Sequence, residues 1–589
     1  MKNIGVVAVF DRLKFDRYAH FARIGEGSLG GKGRGLAFLD NIIKRHSELN
    51  QFDNATVQIP KTVVLCTDFF DEFMDKNNLW SIALSDAPDE EILEHFMRAQ
   101  LPDALIADFF TFFEAINSPI AVRSSSLLED SHYQPFAGIY STYMVPYLED
   151  KYEMLRMVAC AIKGVYASVY YKDSKAYMTA TSNVIDQEKM AVILQEVVGK
   201  QYDTRFYPTF SGVLRSLNYY PIGDELAEEG IASLALGLGK YIVDGGQTLR
   251  VSPYHPKQVL QTSEMDTALK ETQTRFYALD MSHVGDDFKV DDGFNILNLR
   301  VKEADKDNSL QGIASTYDPV DQIIRAGIYE GGRKVISFSG VLQHGIFPLP
   351  EILQLSQKYG SEEMRRPVEI EFACNLAPDG ASGDFYLLQI RPIVDSKQVL
   401  DEDLAAIPDE QCLLRSHNSL GHGISEDVVD VVYVKTDEDF TAANNPQIAD
   451  EIEQINRKFL DGEYLQEDGT GANYVLIGPG RWGSSDYWLG IPVKWPHISA
   501  ARVIVEAGLK NYHVDPSQGT HFFQNLTSFG VGYFTINTFT GDGILQTSVL
   551  DALPAIEETE HVRHVRFPHP IKIMMDGKKQ HGVALLPQE

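Results

Sequence analysis

Positive charge is what this chain has least of for its size: 52 lysines and arginines face 83 aspartates and glutamates in 589 residues, a formal charge of −31. A nucleic-acid backbone or an anionic membrane is therefore disfavoured as a partner, because such binding rests on clustered Lys and Arg that release counterions. Any phosphate site must be local, built from backbone N–H groups and a few cations set in an acidic background. Cysteine is also scarce. Cys66, Cys160, Cys374 and Cys412 lack metal-ligand spacing, which argues against structural zinc and a disulfide framework and fits buried thiols in a reducing, cytoplasmic setting. No apolar run approaches a membrane span. The first one, Ile4 to Phe10, runs straight into Asp11 and Arg12, unlike a secretory signal. No internal repeat is evident.

The remaining composition, 44% hydrophobic and 23% charged, is that of a folded globular chain. Its length exceeds the roughly 250–300 residues at which single cores stop growing, so about three or four domains are expected. Residues 1–220 alternate strand-like and helix-like runs, as in "TVVLCT" (62–67) followed by "DFFDEFMDK" (68–76), an α/β or α+β pattern. "KEADKDNS" (302–309) reads as a surface loop. The acidic stretch 394–411 follows the strand-like "FYLLQIRPI" and marks the main boundary, after which "VVDVVYV", "ARVIVE" and "KIMMDG" predict a second, smaller α/β domain.

Three segments have residue types suited to phosphate chemistry. "IGEGSLGGKGRGLAFLDNII" (24–43) places six glycines before a helix whose Leu36, Leu39 and Ile43 share a face. Glycines permit close approach of N–H groups, a helix N-terminus favours an anion, and Lys32 can neutralise charge. It is not a Walker A loop, since Glu26 stands where Gly is needed and Gly33 follows the lysine. A structural turn is the alternative. In "SPIAVRSSSLLEDSHYQPFAGIYST" (118–142) a strand ends in Arg123 and three serines, followed by Glu129 and Asp130; the arginine fork suits phosphate, or an exposed salt bridge. In the hairpin-like 366–393, Glu369 and Glu371 share one face of a strand, and Gln389 and Arg391 one face of its partner. Their oxygens suit magnesium, with solvent-facing charge as the alternative.

In order and wording these segments resemble the nucleotide-binding part of the phosphoenolpyruvate synthase and pyruvate phosphate dikinase family, through a "GGKG" opening, a "VRSS...ED...FAG" block and an "IE...LLQ.RP" ending. "MAVILQEVV" (190–198), "SGVLRS" (211–216) and "LALGLGKYIVDG" (234–245) resemble intermediate blocks. The resemblance implies an ATP-grasp-like two-lobed module, with lobes 1–220 and 221–395, then a linker 396–411. It implies that ATP lies along Gly30, Gly31, Lys32, Gly33, Ser124, Gly237 and Gly239, with Lys32 and Arg123 on its phosphates. Gln195, Glu196 and Val197 would face adenine, Glu371 and Gln389 would bind Mg2+, and Arg391 would steady the transferring group. Lys240, where the family often has Glu, and "VLRS" in place of "VAFT" depart from the pattern.

Family members carry a phosphoryl-accepting histidine on a mobile domain, then a pyruvate-binding barrel; the residues after 411 are too few for both. "GTHFFQNLTSFGVGYFTI" (519–536) has Gly530 nine residues after His521, matching the family's histidine segment in spacing. Residues 421–434 and 573–587 resemble that domain's opening strand and closing hairpin. Residues 412–589 thus resemble a swivelling phosphohistidine domain, with His521 as phosphoacceptor. "GTH" for "TSH" and the following Phe522 and Phe523 depart from the family. "LIGPGRWGSSDYWLGIPVKWP" (476–496) has no counterpart: Arg481, Ser484 and Ser485 make it a second anion loop, or its Gly and Trp make a packing turn. The leading expectation is a kinase or dikinase passing phosphate from ATP through His521 to pyruvate or another small acceptor, pyruvate requiring a separate polypeptide. A nucleotide-binding scaffold and a histidine-independent ATP-grasp ligase are the alternatives.

Overall fold

The computed structural model describes residues 7–13, 15, 20–126, 140–180, 188–218, 224–263, 265–285, 288–291, 293–393, 404–421, 423–436, 440–466, 468–484, 486–509, 531–576 and 579–587. The chain is mixed α/β and divides into two compact units, residues 1–242 with 247–393, and residues 394–589 with 243–246. His521, Gly530, Phe522, Phe523, Ser485, Glu129 and Asp130 lie outside the described residues.

In the first unit a five-stranded sheet runs in the order Phe21–Ile24, Thr62–Leu65, Met190–Glu196, Ile120–Ser126, Thr142–Val145. Only its first pair is parallel. The run Thr62–Leu65 is wholly buried, and the helix Thr67–Lys76 after it buries Phe70, Phe73 and Met74, the three- and four-residue spacing of one helix face. A six-stranded sheet runs Leu249–Val251, Ile231–Ala235, Phe210–Arg215, Val368–Leu376, Gly383–Pro392, Ala55–Gln58, antiparallel except for its last pair. Leu214, Leu249, Ile370 and Ile390 on one face join the main core with Ile352 and Leu353 of the helix Leu349–Met364. Alternation therefore turns Arg215, Glu369, Glu371, Gln389 and Arg391 to the other face.

Two local expectations are corrected. The glycine-rich segment does not precede its helix: the helix spans Gly30–Arg45 and takes four of the glycines into its first turns. Packing is the reason, for a Cβ on Gly35 would stand 2.9 Å from the Ile390 carbonyl oxygen, and one on Gly30 (φ +69°) only 1.9 Å from that of Ser125. The strand holding Arg123 spans Ile120–Ser126 and so ends, as expected, in Arg123 and the three serines, which are buried. Residues 301–306 are helix rather than loop; Val301 and Ala304, one turn apart, are buried, and apolar contact one turn apart outweighs a polar composition.

The second unit is organised on a ten-stranded sheet. At its centre four strands are parallel in the order Gly532–Ile536, Ala501–Ala507, Tyr474–Pro479, Gly423–Val434. Their near-continuous Val, Ile and Tyr content suits strands covered on both faces. The long strand Val562–Asp576 pairs antiparallel with Gly423–Val434 and forms a hairpin with His581–Leu585. The helix Asn445–Leu460 buries Ile448, Ile452, Ile455 and Phe459 along one stripe.

Candidate functional site

The polar face of the six-stranded sheet is laid out in cross-strand rows. Glu369 stands opposite Arg391 on one side and Arg215 on the other, so that one carboxylate lies between two guanidiniums. Arg391 donates through Nε to Glu369 Oε1 (2.9 Å) and also through Nη2, while Arg215 Nε donates to Glu369 Oε2 (2.7 Å). Burial alone would raise the Glu369 carboxyl, but the Arg391 and Arg215 charges outweigh it and hold it at about 2, against an ordinary 4.5. The next row places Glu371 opposite Gln389 and Val213. Glu371 is half-buried and its carboxylate has no hydrogen-bond or ion-pair partner among the described residues.

A β-bulge follows Glu371 and leaves Leu388 without a partner on the Glu369 strand. Such a bulge frees main-chain groups and re-aims side chains. Here the Leu388 carbonyl accepts from Arg123 Nη1 (3.4 Å), and Gln389 Oε1 accepts from Arg123 Nη2 (2.5 Å). Arg123 belongs to the five-stranded sheet, so this guanidinium ties the two sheets together. Its other contact is Gln195 Oε1 (2.9 Å), whose amide nitrogen donates to Thr62 Oγ1 (3.2 Å). All three oxygens on Arg123 are neutral, and no carboxylate pairs with it among the described residues. A half-buried guanidinium held only by neutral acceptors keeps its full charge for an anion, since a desolvated charge is otherwise costly. The expected exposed salt bridge is absent among the described residues.

Lys32, buried on the first turn of its helix, donates to Ser124 Oγ (3.1 Å), the neighbour of Arg123. Ser125 locks the helix start by accepting from Gly33 N–H (2.9 Å) and donating to the Leu29 carbonyl (2.7 Å). The preceding loop is fastened to the next strand–helix junction: Glu26 and Gly27 N–H donate to the Asp68 carboxylate, and Ser28 N–H to Thr67 Oγ1. The helix N-terminus, which leaves its first N–H groups without intrahelical acceptors, is thus set beside Lys32. Lys32 pairs with Ser124, Arg123, one residue earlier on the same strand, pairs with Gln389, and Arg391 shares the Gln389 face.

The remaining expected residues sit differently. Gln195 is buried and holds Arg123. Glu196 accepts from Ser118 (2.7 Å), and the N–H groups of Glu196 and Val197 already donate to the Lys61 and Pro119 carbonyls. Gly237, at φ +86°, accepts from Ser211 Oγ (2.7 Å), and a Cβ there would crowd the Tyr277 carbonyl; Gly239 has ordinary contact distances. Arg215 and Ser125 escaped the residue-type search. Arg215 had one signal, an arginine ending the otherwise apolar strand Phe210–Arg215.

In the second unit the "GPGRWG" segment runs from the end of the strand Tyr474–Pro479 into a short strand, Arg481–Trp482, paired with Gly490–Ile491. Trp482 is buried, its indole N–H donating to the Val505 carbonyl (3.0 Å) and its main-chain N–H to the buried Glu506 (2.9 Å). A Cβ on Gly478 would lie 2.4 Å from the Trp482 ring, and Ser484 Oγ is spent on the Asp486 carbonyl (2.9 Å).

The first unit is a mixed α/β fold, and its family is a nucleotide-binding one. Residues 26–411 match the family described as pyruvate phosphate dikinase, AMP/ATP-binding domain, and the chain belongs to that family. A stretch of 190 residues, 32% of this chain, is 27% identical to an "Uncharacterized phosphotransferase YvkC" of Bacillus subtilis; the match covers 20% of that relative's length. Among the described residues no helix is long and apolar enough to cross a membrane.

Proposed function

We propose that the first unit binds ATP with its phosphates among Lys32, Arg123 and Arg391, and that the protein is an ATP-dependent phosphotransferase of the kinase or dikinase type. The observation that carries this is Arg123, a guanidinium bridging two sheets through neutral oxygens alone. Gly30, Gly31, Gly33 and Ser124 would line the phosphates, and Gln195, Glu196, Val197, Gly237 and Gly239 the rest of the nucleotide. Phosphoryl transfer asks mainly for positioning and charge neutralisation, and a set of fixed cations beside a helix N-terminus supplies both. Hard oxygen donors suit magnesium; Glu371, with its uncommitted carboxylate, and Gln389 directly opposite would hold that ion, which when bound neutralises phosphate charge. Arg123 would keep Gln389 oriented, and Arg391 would be aimed by Glu369.

In this reading phosphate passes from ATP to the imidazole of His521 and then to pyruvate or another small acceptor, pyruvate needing a separate acceptor-binding chain. Residues 412–589 would serve as the phosphohistidine-bearing domain. Incubation with magnesium and ATP labelled separately at the β and γ positions tests it. Acid-labile label on the protein with AMP released, lost in His521→Ala, is the expected result. ADP formation that survives His521→Ala would replace the phosphohistidine route with direct transfer, and binding without turnover would leave a scaffold.

A further inference from the structure

In the row Arg215–Glu369–Arg391 one arginine keeps a donor that no described residue uses. Each oxygen of Glu369 is taken by one arginine, so the row holds two guanidiniums against one carboxylate. All three side chains are at least seven-eighths buried, at 12%, 2% and 7% exposure in chain order. Arg215 Nη1 is buried and has no hydrogen-bond acceptor among the described residues. A buried donor left unmade costs about 1–3 kcal/mol. A structural pair would need only one arginine.

We propose that Arg215 is a further phosphate-binding residue of this site. Its Nη1 takes an oxygen of the nucleotide's polyphosphate, while its Nε holds Glu369 and so positions Arg391. The inference rests on the nucleotide reading above and extends it, since that reading needs Lys32, Arg123 and Arg391 alone. The fork geometry of arginine allows both tasks at once, with Nε turned to the carboxylate and an outer nitrogen turned to an anion. Lysine, with one nitrogen, can do only one of them.

The test uses the full chain with Arg215→Met and Arg215→Lys, each checked for folding by its urea midpoint. Binding of ATP, of inorganic tripolyphosphate and of adenosine is measured by calorimetry in magnesium. Arg215→Met should weaken ATP and tripolyphosphate by roughly ten- to a hundredfold, the scale of one hydrogen bond to a charged group, and leave adenosine within about twofold. Arg215→Lys should fall between. An arginine that only held Glu369 would be replaced by Arg215→Lys, which keeps a cation on that carboxylate, and tripolyphosphate affinity would then return to that of the unaltered chain. If Arg215→Met binds ATP and tripolyphosphate as the unaltered chain does, or if both variants fail to fold, the assignment is overturned while the nucleotide site stands. If the unaltered chain binds neither, the nucleotide reading has failed and this inference falls with it.

Discussion

Two buried carboxylates, one in each unit, sit in cross-strand rows beside arginine and end in opposite states. In the second unit Asp430 receives Arg566 through Nε and Nη2 (both 2.8 Å) and lies 2.8 Å from His564 Nε2. Arg566 is further tied to the Tyr464 carbonyl (2.8 Å), and the rings of Phe459 and Tyr464 close over His564. One guanidinium meets one carboxylate, and aromatic side chains seal the cluster. In the first unit Glu369 meets two guanidiniums, and one of them keeps a donor unmade. The two clusters are alike in residue type and in burial, so neither property separates a structural ion pair from a ligand site. Among the described residues each also keeps one buried nitrogen unmade, Arg215 Nη1 in the first and His564 Nδ1 in the second, so what sets them apart is the number of guanidiniums on the carboxylate.

Removing either carboxylate should have the largest effect. Glu369→Ala and Asp430→Ala each leave a buried guanidinium unpaired, and each should destabilise its own unit by about 3–5 kcal/mol in urea unfolding. Tolerance at one site would break the comparison by showing that cluster to be well solvated. Trp482→Ala comes next, at about 3 kcal/mol for the cavity left in the second unit, with ATP affinity in calorimetry unchanged. A fall in affinity would return "GPGRWG" to the status of a ligand loop. Arg123→Met should cost nucleotide binding about 1.5–3 kcal/mol while moving the urea midpoint little, because only neutral partners are released.

Acid should act through Glu369. Its folded carboxyl is held at about 2 against an ordinary 4.5, so its stabilisation is fully present above about 4.5 and disappears as pH falls from there toward 2. Glu369→Gln should flatten that part of the stability profile of the first unit, and an unchanged acid limb would refute the assignment. The smallest change in stability is expected for Glu371→Gln, within about 0.5 kcal/mol for a half-exposed side chain without partners. The magnesium concentration needed for half-maximal turnover should rise, and an unaltered requirement would remove Glu371 from the metal site.

Much of the candidate site was legible because its residues recur at fixed spacing. Alternation alone places Glu369 with Glu371, and Gln389 with Arg391, on shared strand faces, and the hairpin makes them neighbours. The helix after the glycines was legible from Leu36 and Leu39, but its start was not, since the first turns are glycine, which has low helix propensity and is chosen here to approach Ser125 and Ile390. Arg123 was legible as a cation but not as a bridge, because its partners Gln195 and Gln389 lie 72 and 266 residues away. Arg215 was overlooked for the same reason: it acts through Glu369, 154 residues distant. "GPGRWG" admits two readings by residue type, since glycines and an arginine look alike around an anion and around a tryptophan.

The sequence by itself determined the α/β class, the acidic balance that disfavours a phosphate backbone as partner, and the strand faces shared by Glu369 with Glu371 and by Gln389 with Arg391. These follow from composition and from the two-residue period of a strand, which need only near neighbours. The tertiary structure decided which cations share a face, which carboxylate is already spent, and which glycines serve packing. Those outcomes depend on strands paired from distant parts of the chain, where charge balance is set by whichever residues the register brings opposite one another.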